Sequence, residues 1–180
     1  MITAVLFDWG GVFNPQHESL AGYHAVAQRY GHTPERLYDV LYSGDEWRTA
    51  RIGGMTSEAY WRTMQAKLGV NGALDTFLAD LFAGNRIDPE LIVIAEQVHV
   101  RYRTGLLSNA LDDLEQQLAD ARVDHLFDVV INSARVGVAK PDPRAFELAL
   151  EALGTPAEQV LFIDDKWRNV VAARAMRIPT

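Results

Sequence analysis

Ala4-Val5-Leu6-Phe7-Asp8-Trp9-Gly10-Gly11-Val12 sets four apolar residues against a carboxylate, with two glycines close behind. An apolar run this short, without polar alternation, reads as a strand buried on both faces, the form strands take in a parallel sheet covered by helices. Asp8 then stands at the strand's carboxyl end, where open α/β sheets hold their ligand crevices. Gly10 and Gly11 allow a tight turn in which backbone groups approach a ligand, which makes Gly11 a candidate binding residue. Taken alone, the stretch fits a strand closed by an Asx-type turn better. The remainder of the chain reverses that preference.

From 14 to 87 no strand-like alternation occurs, and the residues group into helices. Leu20, Tyr23, Ala27 and Tyr30 fall on one helical face. Thr33-Pro34-Glu35 has the order of a helix start, with a capping hydroxyl, proline at the first position and an acid in the first turn. Thr56 or Ser57 opens a helix carrying Tyr60, Trp61, Met64 and Leu68 and closed by Gly69; a further helix runs over 73–83. Arg48 and Arg51, beside Trp47, fit a solvated helix face or contacts to an anionic substrate. After residue 88 strands and helices alternate. Asp88-Pro89-Glu90 opens a helix to about Tyr102, and strands follow at 104–109, 127–131 and 160–163. Helices lie between them at 111–121 and 143–154 and close the chain at 166–176, and Thr155-Pro156-Ala157-Glu158 matches a capping box. The expected fold is α/β, a Rossmann-like parallel sheet core over 1–13 and 88–180. An all-helical cap, 14–87, is inserted after the first strand.

Each apolar strand ends in polar residues: Asp8, Ser108-Asn109, and Asp164-Asp165. Parallel strands bring those ends to one edge, so three carboxylates, a hydroxyl, an amide and Lys140 are expected in one crevice. Converging carboxylates repel one another and call for a cation. A hard divalent ion with oxygen ligands suits them, and Mg²⁺ keeps waters that a phosphate can replace. Ser108, Asn109 and Lys140 provide hydrogen bonds and a positive charge for phosphoryl oxygens, and an aspartate can itself act as the nucleophile.

The bulk composition bounds the alternatives. The 180 residues suffice for one domain with a modest insertion, and 48% hydrophobic with 23% charged residues is ordinary for a globular chain. There is no cysteine, so thiolate nucleophiles, disulfides and Cys-ligated zinc are excluded. A net charge of −7 without a basic stripe argues against nucleic acid as a partner. The sequence has no membrane-length apolar run and enters a strand directly from Met1, so a cytoplasmic location with no membrane partner is the expectation. Oligomeric state is not encoded in any pattern found.

The motifs Phe7-Asp8-Trp9-Gly10-Gly11-Val12, Leu107-Ser108-Asn109, Lys140-Pro141-Asp142-Pro143 and Phe162-Ile163-Asp164-Asp165 with Asn169 together resemble the haloacid dehalogenase (HAD) superfamily, in particular its capped phosphatase-like members. The resemblance covers nearly the whole chain, in the family's order. It implies Asp8 as nucleophile, Lys140 as the catalytic cation, Ser108 and Asn109 as phosphate-binding residues, and Mg²⁺ held by Asp8, Asp164, Asp165 and the Gly10 carbonyl. The implied activity is hydrolysis of a small phosphorylated metabolite through an aspartyl-phosphate on Asp8. Two departures stand out. The general acid that family phosphatases carry two residues after the nucleophile is Gly10 here, and His17 is a candidate substitute. The chain also ends at Ile178-Pro179-Thr180, where relatives usually continue into another strand and helix. Two rivals follow: a member that binds a phosphorylated ligand without turning it over, and a 2-haloacid dehalogenase using the same aspartate on a carbon–halogen bond. The Asp164-Asp165 pair argues against the second, because that branch needs no metal.

Overall fold

A computed structural model describes residues 1–14 and 23–180. Leu20 and His17 therefore lie outside the described residues. Strand β1 is Ala4–Phe7, and the helices α1 (His24–Arg29), α2 (Pro34–Tyr42), α3 (Asp45–Ala50), α4 (Ser57–Lys67) and α5 (Leu74–Leu81) follow it. The chain then alternates through α6 (Pro89–His99), β2 (Arg103–Ser108), α7 (Leu114–Asp120), β3 (Val129–Asn132), α8 (Ser133–Val136), α9 (Pro143–Leu153), β4 (Val160–Ile163) and α10 (Trp167–Ala175). The four strands form one parallel sheet in the order β3-β2-β1-β4.

The unbroken apolar run of β1 follows from its central place. Ala4 and Leu6 enter one core with Phe146, Ala149 and Leu153 of α9 and Ala173 of α10. Val5 and Phe7 point the other way, into a core with Ala95 of α6 and Leu114 and Leu118 of α7. Side chains alternate faces along a strand, so a strand covered twice needs apolar residues at every position. The edge strand β4 has a half-exposed Ile163, and Phe162 N donates to the carbonyl of Pro179 at 2.8 Å, tying the final residues to that edge.

The helical insertion has its own core. Leu37, Leu41, Tyr60, Trp61, Met64, Phe77 and Leu81 pack into a third cluster, joined from the other side only by Leu111 among fully buried residues. Tyr60 and Trp61 are thus packing residues. The helix starts read from sequence are formed: Thr33 accepts from Arg36 N, Thr56 from Ala59 N, and Asp88 from Glu90 N. The ends of the insertion meet where Asp88 N donates to the carbonyl of Phe13 at 2.7 Å.

Two expectations need correction. Thr155 to Glu158 form no capping box: Pro156 precedes a short 3₁₀ turn, and the Thr155 hydroxyl donates back to the Leu153 carbonyl at 3.1 Å. The reason is that Thr155 follows directly on α9 and closes it. Strand β3 begins at Val129 because Phe127 turns into the core against Phe7 and Phe13. Helix α3 was not separated from its neighbours by any apolar period.

Two close contacts help to seat the insertion on the sheet domain. Ser57 N donates to Asp112 at 2.8 Å, and Gly53, at φ +80°, lies so close to the carbonyl of Ala134 that a Cβ would overlap it. A positive φ and a blocked Cβ together restrict this position to glycine. Gly53→Ala is expected to lower stability by about 1–3 kcal/mol, read as a shift in denaturant midpoint at unchanged slope. An unshifted midpoint would mean that the seam between the two units yields.

Candidate active site

The register of the sheet assembles the site. Phe7 pairs with Ile163 on one side and Leu106 on the other, so Asp8, Asp164 and Leu107-Ser108 come level at the carboxyl edge. Asp8 is anchored by its backbone, whose N–H donates to the Ile163 carbonyl at 2.9 Å. Beside it Lys140, 1% exposed, places Nζ at 2.7 Å from Asp8 Oδ1 and at 2.7 Å from Asp164 Oδ2. One ammonium thus bridges two buried carboxylates, with the ring of Phe162 5.5 Å away.

Each member of this bridge is held by a second set of bonds. Asn109 accepts from Lys140 N and donates to the Lys140 carbonyl, both at 2.8 Å, so the loop carrying the lysine is locked to the end of β2. Asn169 Nδ2 donates to both oxygens of Asp164, at 3.0 and 2.9 Å, and Lys166 N adds a third donor at 2.8 Å. Asp8 Oδ1 also receives the Trp9 N–H at 2.8 Å, while Oδ2 has no hydrogen bond among the described residues. Ser133 and Asn132 brace the loop after Ser108: Ser133 Oγ accepts from Ala110 N, and Asn132 Nδ2 donates to the Leu111 carbonyl.

A cavity of about 50 Å³ opens on this arrangement, lined by Asp8, Trp9, Gly10, Ser108, Asn109, Ala110, Lys140, Lys166 and Asn169. That exceeds the ~10–15 Å³ needed for one water yet is too small for a whole metabolite. It suits one small polyatomic group. The predicted residues Asp8, Gly10, Ser108, Asn109 and Lys140 meet here. Gly11 does not line the cavity. Its N–H is taken by Asn14 Oδ1 at 3.2 Å, and its φ of +81° lets it sit directly against the Asp165 carboxylate. Lys166 carried no signal beyond its place after the acidic pair, and the bracing by Asn132 and Ser133 becomes visible only in three dimensions.

Asp8, Asp164 and Asp165 each bring an oxygen within 4.8 Å of the others, a grouping able to hold a metal ion. Of these, Asp8 and Asp164 share the one buried ammonium of Lys140. Asn169 Oδ1 is buried without a hydrogen-bond partner, an acceptor ready for a water on such an ion. The donor set fits a hydrated, oxygen-loving divalent cation. Without a cation, burial pushes the Asp8 carboxyl up to about 6, with Lys140 opposing the rise and Asp164 adding to it.

The family model for haloacid dehalogenase-like hydrolases matches residues 2–177. An (S)-2-haloacid dehalogenase from Xanthobacter autotrophicus is 32% identical over 97% of this chain and 72% of its own length. A phosphoserine phosphatase from Thermus thermophilus is 41% identical over 39% of this chain and 29% of its own. Several of the curated relatives are matched over less than a third of their length. A HAD family enzyme from Bacteroides thetaiotaomicron, solved in complex with magnesium and inorganic phosphate, superposes with a TM-score of 0.79 at 19% identity, covering 100% of this chain and 93% of that one.

The raised Asp8 value gives a pH signature. Between about 4 and about 6 the folded chain keeps a proton that the unfolded chain has released, so stability present below pH 4 is lost as pH rises through 6. Asp8→Asn removes that loss. In chelator, the variant should gain on the wild type by roughly 2–3 kcal/mol between pH 4 and 7, measured by denaturant titration. Parallel stability curves would contradict the assignment.

Proposed function

The chain belongs to the haloacid dehalogenase-like hydrolases, and on that premise we propose that it is a Mg²⁺-dependent phosphatase acting on a small phosphorylated metabolite. The observation that carries this reading is Asp8 itself: Oδ1 is pinned by Lys140 and Trp9, Oδ2 is unbonded among the described residues, and the residue lines a cavity of about 50 Å³. Asp8, Asp165, Asp164 and the Gly10 carbonyl would hold the metal, which supplies Lewis-acid stabilisation of charge on the phosphoryl oxygens. Asp8 attacks phosphorus, the ester P–O bond breaks, and the alcohol leaves. Water then attacks the phosphorus of the aspartyl-phosphate, releasing inorganic phosphate and restoring the carboxylate. Lys140 neutralises charge between nucleophile and phosphoryl group, while Ser108 and Asn109 bound the cavity that receives it. Gly11 contributes by its close packing on Asp165. Residues 14–87 act as a cap that excludes water and selects substrate over the core formed by 1–13 and 88–180. The setting is taken as cytoplasmic; no described helix is long and apolar enough to cross a membrane.

The dehalogenase relative, matched over most of both chains, favours a second reading in which Asp8 attacks carbon and displaces halide. That chemistry has no use for the acidic cluster, and a metal dependence separates the two. The deciding assay is phosphate release from a panel of phosphomonoesters, and halide release from 2-haloacids, each with and without Mg²⁺. Metal-dependent phosphate release that disappears in Asp8→Asn is expected. Metal-independent halide release would establish the dehalogenase instead, and binding without any product would make the chain a non-catalytic member of the family.

Gly10 supplies no acid to the leaving group from its own position, a function usually worth ~10²–10⁴-fold. Alkyl phosphates should therefore turn over slowly compared with aryl phosphates, and Gly10→Asp should narrow that gap. Equal rates across leaving groups of very different pKa would count against it.

A further inference from the structure

The phosphoryl-sized cavity is too small for a substrate, and a larger one of about 280 Å³ lies beside it, at the seam between the helical insertion and the sheet domain. Its wall carries Arg48 and Arg51 from the α3 segment and Lys166 and Arg168 from the start of α10, with Tyr42 and Trp47 stacked edge-to-face at 5.3 Å alongside. Lys166 lines both cavities. Four of the chain's 17 basic residues thus converge on one cavity of a protein with net charge −7, and no carboxylate lines it among the described residues.

Not all of these cations are neutralised within the fold. Arg48 is paired with Asp45, Nε to Oδ1 at 3.1 Å. Arg51 has no acidic partner among the described residues, and its Nε is buried with no hydrogen bond at all. Burial, then repulsion from Arg168 and Arg48, holds its guanidinium below the ordinary arginine value. The buried Arg51 Nε without an acceptor and the repulsion of Arg51 by Arg168 and Arg48 are both unfavourable, and an anion seated among them relieves both. Guanidinium groups match carboxylate and phosphate oxygens in particular.

We propose that this seam cavity receives a second anionic group of the substrate, so that the substrate class is a small phosphomonoester bearing a further phosphate or carboxylate. This rests on the phosphatase reading, because it takes the smaller cavity as the phosphoryl site. The ligand spans both cavities, passes Lys166, and draws together residues from the insertion and from the sheet domain. Binding of such a ligand therefore fastens the seam, whereas a singly charged ester does not.

Phosphonates test this without turnover, since their C–P bond offers no alkoxide to displace. Propylphosphonate, 3-phosphonopropionate and propane-1,3-bisphosphonate, with their longer-chain homologues, are titrated calorimetrically into the Mg²⁺-loaded protein. Charge-assisted contacts of this kind are worth about 10- to 100-fold in affinity, and the ligands with a second anion should bind tighter by that factor. Which of the two leads identifies the second group as carboxylate or phosphate. Arg51→Met and Arg168→Gln should each erase most of the advantage. The exposed Arg168 keeps the test valid if the Arg51 variant fails to fold, and the comparison of variants removes any effect of metal chelation by the bisphosphonate. Equal binding of all three ligands, or an advantage that neither variant changes, overturns the inference. If the advantage stands while no ester is hydrolysed, only the phosphatase reading falls. If simple esters are hydrolysed and the three phosphonates bind alike, only the present inference falls.

Discussion

Everything at the carboxyl edge of the sheet depends on one buried ammonium. Lys140 Nζ lies 2.7 Å from a carboxylate on each of two neighbouring strands, and almost none of it reaches solvent. Burying such a group is unfavourable by several kcal/mol unless partners compensate. On the lysine's side the compensation comes from two carboxylates and the Phe162 ring, while Asn109 donates to its carbonyl and accepts from its N–H. It is incomplete on the carboxylates' side. Asp8 is left with a raised pKa, and Asp165 adds further negative charge nearby. The fold thus gathers three carboxylates whose oxygens lie within reach of one another, and a bound cation is the complement that such a cluster fits.

The supporting residues are polar, and all but the half-buried Asn109 are buried. Asn109, Asn132, Ser133 and Asn169 fix loops by side-chain hydrogen bonds where a sheet edge offers no ladder to do so. A network of this kind is strong when every member is satisfied and costly when one is not. The single unsatisfied atom within it, Asn169 Oδ1, stands beside the cavity, where a ligand or its water supplies the missing donor.

Most of this was legible in the chain because parallel topology turns sequence into position. Once Ala4–Phe7 is a buried strand, the polar residues after it and after two later strands have to share an edge, and Asp8, Ser108, Asn109, Asp164 and Asp165 do. Helix starts at Thr33, Thr56 and Asp88 were legible for a local reason, since the cap bond spans two or three residues. What escaped was either too short or too distant. Helix α3, with six residues, has no room to display a period. The capping-box pattern at Thr155 was overruled by the helix ending just before it, which claimed the hydroxyl. The convergence of Arg51 with Arg168 joins residues more than a hundred positions apart, and no periodicity carries that information.

The division of labour follows from the same constraint. The residues around Lys140 are interlocked, so a change in any one exposes a buried charge or orphans a hydrogen bond. The seam cavity is built differently, from exposed or half-exposed side chains on a short helix and at the start of α10. The four basic positions can change shape and charge without disturbing any of the three apolar cores, because none of them belongs to one. On the proposed reading, chemistry is confined to the part of the molecule that tolerates little change, and recognition is placed where the insertion meets the sheet. An insertion after β1 is well placed for this, since the strand that delivers Asp8 to the site is the one it follows in sequence.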